Sequence, residues 1–168
     1  FLEFTPSGTA LLVEEKGGGG IRLVDAGDRS ELARLDGSVV PLGLSTDRGT
    51  LYLLDEDSAQ IRRVSANNLR PITAPPVHLE ALTAGGPPPL RHRFDADSGI
   101  LAEQREGGEI RIWNVADGRL LPPLEDKARC DCEFWVLPGG VIALIGDAFA
   151  IELYDARSGR RLGRLQGH

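Results

Sequence analysis

The stretch IRIWNVADGRLLPPL at 110–124 is answered 41 residues later by IELYDARSGRRLGRL at 151–165. In both, an isoleucine opens a short alternating run, a polar turn follows, and a second run ends on leucine. Alternation with a period of two, broken by Asp, Ser, Asn and Gly, is the pattern of a β-hairpin. Two earlier stretches repeat it, IRLVDAGDRSELARL from Ile21 and IRRVSANNLRPITAP from Ile61, so that the four starts lie 40, 49 and 41 residues apart. The second strand of each hairpin is expected to run to Leu35, Ile72, Leu124 or Leu165.

Upstream of each hairpin lies another pair of apolar runs around a turn: FLEFTPSGTALLVEE, VVPLGLSTDRGTLYLLDE, LRHRFDADSGILAEQ and CEFWVLPGGVIALIGD. Their Pro, Asp, Ser and Gly stand where a strand must reverse. Each repeat is therefore read as four antiparallel strands. A sheet of about 40 residues cannot bury both faces alone, and radial stacking of copies does so, which makes the expected fold an all-β β-propeller. The expected boundaries are 1–37, 38–77, 90–128 and 129–168 for four blades, with an inter-blade insertion at 78–89.

The third repeat now carries a family resemblance. Ile-Arg-Ile-Trp113-Asn114 followed by Ala-Asp-Gly resembles the third strand and turn of a WD repeat, and Gly167-His168 resembles that family's glycine-histidine signature. The tryptophan place is filled by Val24, Val64, Trp113 and Tyr154, and the acidic place after it by Asp25, Ser65, Asn114 and Asp155. Such variation implies that the family's buried Asp-His-Ser-Trp network is incomplete and that packing replaces it. WD-repeat proteins resemble rings of seven or eight blades. Four visible blades leave three closures open: half of a longer ring, a ring closed by a homodimer, or a compact four-bladed ring.

Composition narrows the function. With 41% hydrophobic and 26% charged residues the chain is that of a soluble globular protein. Nineteen basic against 25 acidic residues give a net charge of −6, and the basic ones are dispersed, which argues against nucleic acid. No apolar run approaches the roughly 20 residues that span a bilayer, so no membrane partner is expected. Two cysteines, Cys130 and Cys132, are few for a secreted scaffold, and a reducing, cytoplasmic setting is expected.

Candidate sites are weighed against plainer roles. Alternation puts Cys130, Cys132, Phe134 and Val136 on one strand face, which reads as structural thiols; half of a zinc site or a redox pair are the alternatives. His78, His92 and His168 show no paired spacing, and no metal or cofactor is expected. Lys16-Gly-Gly-Gly-Gly20 is followed by a strand pattern, not a helix, so it reads as a loop and not a phosphate cradle. Trp113 reads as packing, while Trp135 faces opposite Phe134. No nucleophile elbow, zinc-protease helix or kinase signature occurs, so the chain is not read as an enzyme; a propeller hydrolase is the lesser alternative.

The expected function is a non-catalytic scaffold that binds a protein or peptide through loops on one face. Its contact residues, by position, are Asp57 and Gln60, Arg105 and Glu106, and Asp147 and Phe149 in the turns between second and third strands. Arg91 and His92 join them from the basic end of the long stretch His78–Arg93 that holds the insertion. Trp113, Asn114, Tyr154, Asp155, Gly167 and His168 are expected to be structural. The alternative is a sensor portion of a larger bacterial signalling protein with an NTPase, kinase or protease module elsewhere in the full-length chain; the arginine- and glycine-rich, lysine-poor composition points to a high-GC bacterium.

Overall fold

The third strand of each repeat forms where the alternation predicts it. The computed structural model describes residues 2–15, 20–80, 82, 89–126, 132–145 and 150–165. Among them, sixteen strands form four antiparallel sheets, each taken in chain order. Sheet 1 holds β1 (Leu2–Phe4), β2 (Ala10–Glu14), β3 (Ile21–Asp25) and β4 (Glu31–Leu35). Sheet 2 holds β5 (Val39–Leu44), β6 (Thr50–Asp55), β7 (Gln60–Ser65) and β8 (Val77–His78). Sheet 3 holds β9 (Arg91–Asp95), β10 (Ile100–Gln104), β11 (Ile110–Asn114) and β12 (Arg119–Leu120). Sheet 4 holds β13 (Phe134–Leu137), β14 (Val141–Ile145), β15 (Ile151–Asp155) and β16 (Arg161–Leu165).

Two compact units result. Unit 1 is Phe1–His78 with Leu82–Gly85, and unit 2 is Leu79–Ala81 with Gly86–His168. Alternation along the strands turns one apolar row of each sheet inward. In unit 1, Leu12, Ile21 and Leu23 of sheet 1 pack with Leu51, Leu53 and Val64 of sheet 2. In unit 2, Ile100, Ile110 and Ile112 of sheet 3 pack with Phe134, Ile142 and Tyr154 of sheet 4. Each such side chain, fully buried, contributes roughly 1.5–3 kcal/mol. No helix among the described residues is long and apolar enough to cross a membrane.

One backbone bond recurs in every sheet. The residue after the third strand donates its N–H to the residue before the second: Ala26 to Thr9, Ala66 to Gly49, Val115 to Gly99 and Ala156 to Gly140, at 2.8–2.9 Å. The neighbouring side chain caps the turn that follows. Asp25 accepts from the Gly27 N–H at 2.7 Å, Ser65 from Asn67 at 3.3 Å, Asn114 from Ala116 at 3.1 Å and Asp155 from Arg157 at 3.0 Å. Asp, Ser and Asn all do this work, because each carries a short oxygen acceptor two residues before the donor. The variation at this position therefore preserves one chemistry.

The residue four places on closes the turn with a left-handed backbone: Arg29, Leu69, Gly118 and Gly159, with φ between 56° and 74°. In unit 2 a glutamate then straps the turn to the segment leading into the same sheet's first strand. The Glu80 N–H donates to Gly118 O at 2.8 Å, and its carboxylate accepts the Leu120 N–H at 3.0 Å. Glu125 repeats both bonds, to Gly159 O at 2.8 Å and from the Arg161 N–H at 3.1 Å.

Several expectations are corrected. The outer strands of sheets 2 and 3 do not run to Ile72 and Leu124: β8 is only Val77–His78 and β12 only Arg119–Leu120. Prolines 71, 75, 76, 122 and 123 lack the N–H that a longer ladder needs. His78, placed at the head of the insertion, closes β8 instead. Arg91 and His92 are not loop residues; they lie in β9, in register with Gln104 and Glu103 of β10. The buried run Ile100–Gln104 recruits them as the pairing strand, against their weak strand preference.

Candidate functional site

Three of the turns between second and third strands were expected to carry the contacts. Asp57 is exposed at the tip between β6 and β7, and Gln60 opens β7 beside it. Burial pushes the carboxyl of the neighbouring Glu56 above its usual range, with the charges of Asp57 and Glu14 adding to the effect. Between β10 and β11, Glu106 is exposed, whereas Arg105 turns back to the fully buried Glu103 at 3.1 Å. Asp147 and Phe149 lie outside the described residues, as do Gly167 and His168. Arg91 is held on β9 by Glu133 at 3.6 Å and by the Cys132 carbonyl at 3.5 Å, so it serves sheets 3 and 4.

Of the structural positions read from the repeat, Trp113 and Tyr154 are buried, while Asn114 and Asp155 are half-buried at the turns they cap. Trp113 has no exposed surface, and its indole N–H donates to Glu80 O at 2.8 Å. Tyr154 is likewise buried and donates its O–H to Glu152 at 3.1 Å, while Arg161 meets the other oxygen of Glu152 at 3.2 Å. Burial, then the Glu152 charge, pushes the Tyr154 phenol up to about 12. The hydroxyl of Ser158 and the Arg157 N–H hold the turn carboxylate Asp155 below its ordinary value. Glu80 and Glu125 were missed by the sequence reading. Their signal is a second echo in the chain, Pro75-Pro76-Val77-His78-Leu79-Glu80 against Pro122-Pro123-Leu124-Glu125, with both leucines buried.

Cys132 and Val136 pack on the core of unit 2 beside the buried Phe134, so the one-face reading of that strand stands for the described residues. The free-thiol reading does not: Cys132 is disulfide-bonded. The chain's other cysteine, Cys130, lies outside the described residues. A sulfur in a disulfide is no thiolate ligand, and the cysteine count no longer argues for a reducing compartment. Among the described residues no group of three or more His, Cys, Asp or Glu side chains is placed to hold a metal ion.

A feature that sequence reasoning did not find lies on sheet 2. Pro71 bridges to Val64 and the Ile72 N–H bonds to Arg63 O at 3.0 Å, but pairing resumes only at Val77, opposite Ile61. The four residues 73–76 therefore stand opposite the single residue Arg62. This detour opens a cleft of about 310 Å³ lined by Asp55, Ser58, Gln60, Arg62, Arg63, Pro71, Ile72, Ala74 and Pro76. Asp55 organises its polar side, accepting the Ser58 N–H at 3.0 Å and Arg62 at 3.2 Å. Arg63 lies over the ring of Tyr52, 5.8 Å from its centroid, an attraction of the cation to the ring face. The Ser58 hydroxyl is buried with no hydrogen-bond partner among the described residues.

Two uncovered apolar patches complete the surface. In sheet 1, Leu2 and Phe4 are 65% and 51% exposed on one face of β1. In sheet 4, Trp135 and Leu137 share an exposed face of β13, with Ile151 and Leu165 exposed on β15 and β16.

No protein-family model matches the chain, and no curated protein matches it. Solved structures do share its fold. The chain superposes over 99% of its length on "Kuenenia stuttgartiensis Hydrazine Synthase", with a TM-score of 0.60 and 16% identity. It also superposes over 99% of its length on the computationally designed Ika8 protein, with a TM-score of 0.58 and 15% identity. It spans 48% of each of those chains. At such identity the likeness concerns the backbone architecture.

Proposed function

We propose that the chain is a WD-repeat-like propeller array acting as a non-catalytic interaction module, which offers the turns between second and third strands to a protein or peptide partner. The backbone bond repeated in all four sheets carries this reading. It pins the start of each second strand to the end of each third, so the turns at the opposite end ride on fixed strands. A preordered loop loses little freedom on association, which favours binding over the same residues in a flexible segment. Asp57 and Glu106 are the described tip residues, and Asp147 and Phe149 complete the set by sequence position.

The test is capture of partners by the tagged chain, compared with an Asp57→Arg/Glu106→Arg double variant of unchanged melting temperature. Specific partners are expected to be lost from the variant; an identical set on both baits overturns the role of these turns. A second reading, self-association through sheets 1 and 4, draws on the exposed Leu2, Phe4, Trp135 and Leu137, since apolar patches of this kind mark interaction surfaces. Light scattering decides it. Self-association abolished by Leu2→Asp/Phe4→Asp supports closure by a second copy, and a stable monomer that melts cooperatively rejects it.

A further inference from the structure

We propose that the cleft on sheet 2 binds a ligand that carries a carboxylate next to a small apolar group. The inference goes beyond the turn-face reading and does not rest on it: the cleft touches the β6–β7 turn through Ser58 and Gln60, but its body lies along β7 and the 71–76 segment, away from the turn tip at Asp57. Its two walls differ in chemistry. Pro71, Ile72, Ala74 and Pro76 supply an apolar wall, while Ser58, Gln60, Arg62 and Arg63 supply a wall of hydrogen-bond donors.

The donors are uncommitted to different degrees. Arg62 meets Asp55 through one terminal nitrogen, and a guanidinium has five N–H donors, so its remaining fork stays open. Arg63 forms no ion pair with any described carboxylate; it lies over the Tyr52 ring, which leaves its charge unneutralised. The buried Ser58 hydroxyl lacks a partner among the described residues, and a buried polar group without one is costly until a ligand supplies it. Asp55, the only carboxylate on the lining, is already engaged by Arg62 and by the Ser58 N–H. The net positive lining favours an anion, and the planar guanidinium fork favours a carboxylate, which it can hold with two parallel bonds.

Size limits the ligand. About 310 Å³ lies at the lower end of the range for small-molecule sites, enough for one acidic group and a branched side chain. That chemistry is offered by a free small organic acid or by an acidic residue of a peptide beside a leucine or valine.

The experiment uses the ¹⁵N-labelled full chain and three probes: isovalerate, its uncharged amide isovaleramide, and the peptide acetyl-Glu-Leu-amide. Isovalerate is expected to shift the amides of Gln60, Arg63 and Ala74 saturably, with isovaleramide about tenfold or more weaker. Arg63→Gln is expected to weaken isovalerate by about tenfold, whereas Arg34→Gln on sheet 1 leaves it unchanged. Ala74→Leu, which fills the cleft and keeps every charge, removes binding of both acids and decides the matter if Arg63→Gln disturbs the fold. A peptide that binds at least about tenfold tighter than isovalerate identifies a peptide source, and equal affinities identify a small acid. Equal binding of acid and amide, binding indifferent to Ala74→Leu, or no saturable shift with any probe overturns the proposal. Failure here leaves the partner capture by the turns untouched, so the two readings fall separately.

Discussion

Sheets 3 and 4 strap their outer turns with a glutamate, and sheets 1 and 2 close the same turns with no described counterpart. Where the strap exists, the left-handed residue is Gly118 or Gly159; where it does not, Arg29 and Leu69 take that conformation. The two facts are one device. A Cβ on Gly159 would stand 2.2 Å from the carbonyl oxygen of Pro123, in the segment that delivers Glu125. The strap comes that close only because nothing projects from the turn. Without a strap, a side chain is tolerated at the expense of backbone strain, roughly 1–2 kcal/mol for a residue other than glycine.

The comparison can be broken most severely at Gly159. Gly159→Ala adds a backbone clash to the strain of a positive φ, and chemical denaturation is expected to show a loss of about 3 kcal/mol or more. Gly8 has nearly the same φ of +70°, yet a Cβ added there would meet nothing within 4 Å. Gly8→Ala should therefore lose only about 1 kcal/mol. Equal losses at the two sites would show that conformation, and not the strap's approach, decides the residue.

Removing the strap's side chain is the next step down. Glu80→Ala or Glu125→Ala leaves the Leu120 or Arg161 amide without its acceptor and should lower stability by about 1–2 kcal/mol each. Faster hydrogen exchange confined to those amides would locate the effect. In the opposite direction, Arg29→Gly in the exposed turn of sheet 1 relieves strain without removing packing and should raise stability by about 0.5–1 kcal/mol. An unchanged melt would mean that Arg29 makes a compensating contact.

The smallest effect at neutral pH becomes visible in alkali. The folded Tyr154 phenol is pushed up to about 12 from 10.0, so the folded state holds its proton where the unfolded chain has released it. Its stabilising contribution is complete below about pH 10 and is lost as pH rises toward about 12. Sheet 1 has Val24 at the matching position and contributes no such slope. Denaturation midpoints followed across this window should fall for the natural chain and lose that fall in Tyr154→Phe.

Much of the fold was legible because its turns use residues with few other roles. The period of 40, 49 and 41 residues survives in the Asp25, Ser65, Asn114 and Asp155 caps, whose chemistry is shared even where their names differ. The outer strands were less legible, since apolar residues near Ile72 and Leu124 suggest strands that the adjacent prolines deny. The run LRHRF was read as a strand, yet its basic residues Arg91 and His92 were assigned to the insertion, and the buried β10 beside them holds them in β9. The disulfide at Cys132 was legible only as the redox-pair alternative, because strand alternation favoured structural thiols. The cleft was hidden for a different reason: Gln60 was singled out, but a mismatch of four residues against one is a property of pairing, which no single strand displays.

That mismatch has a bearing on solubility. A bordering strand with a continuous row of free amides and carbonyls is a template on which another chain can grow, and two consecutive prolines beside a two-residue β8 leave almost nothing to copy. Sheet 2 thus admits guests by their side-chain chemistry along the very border where it refuses a further strand.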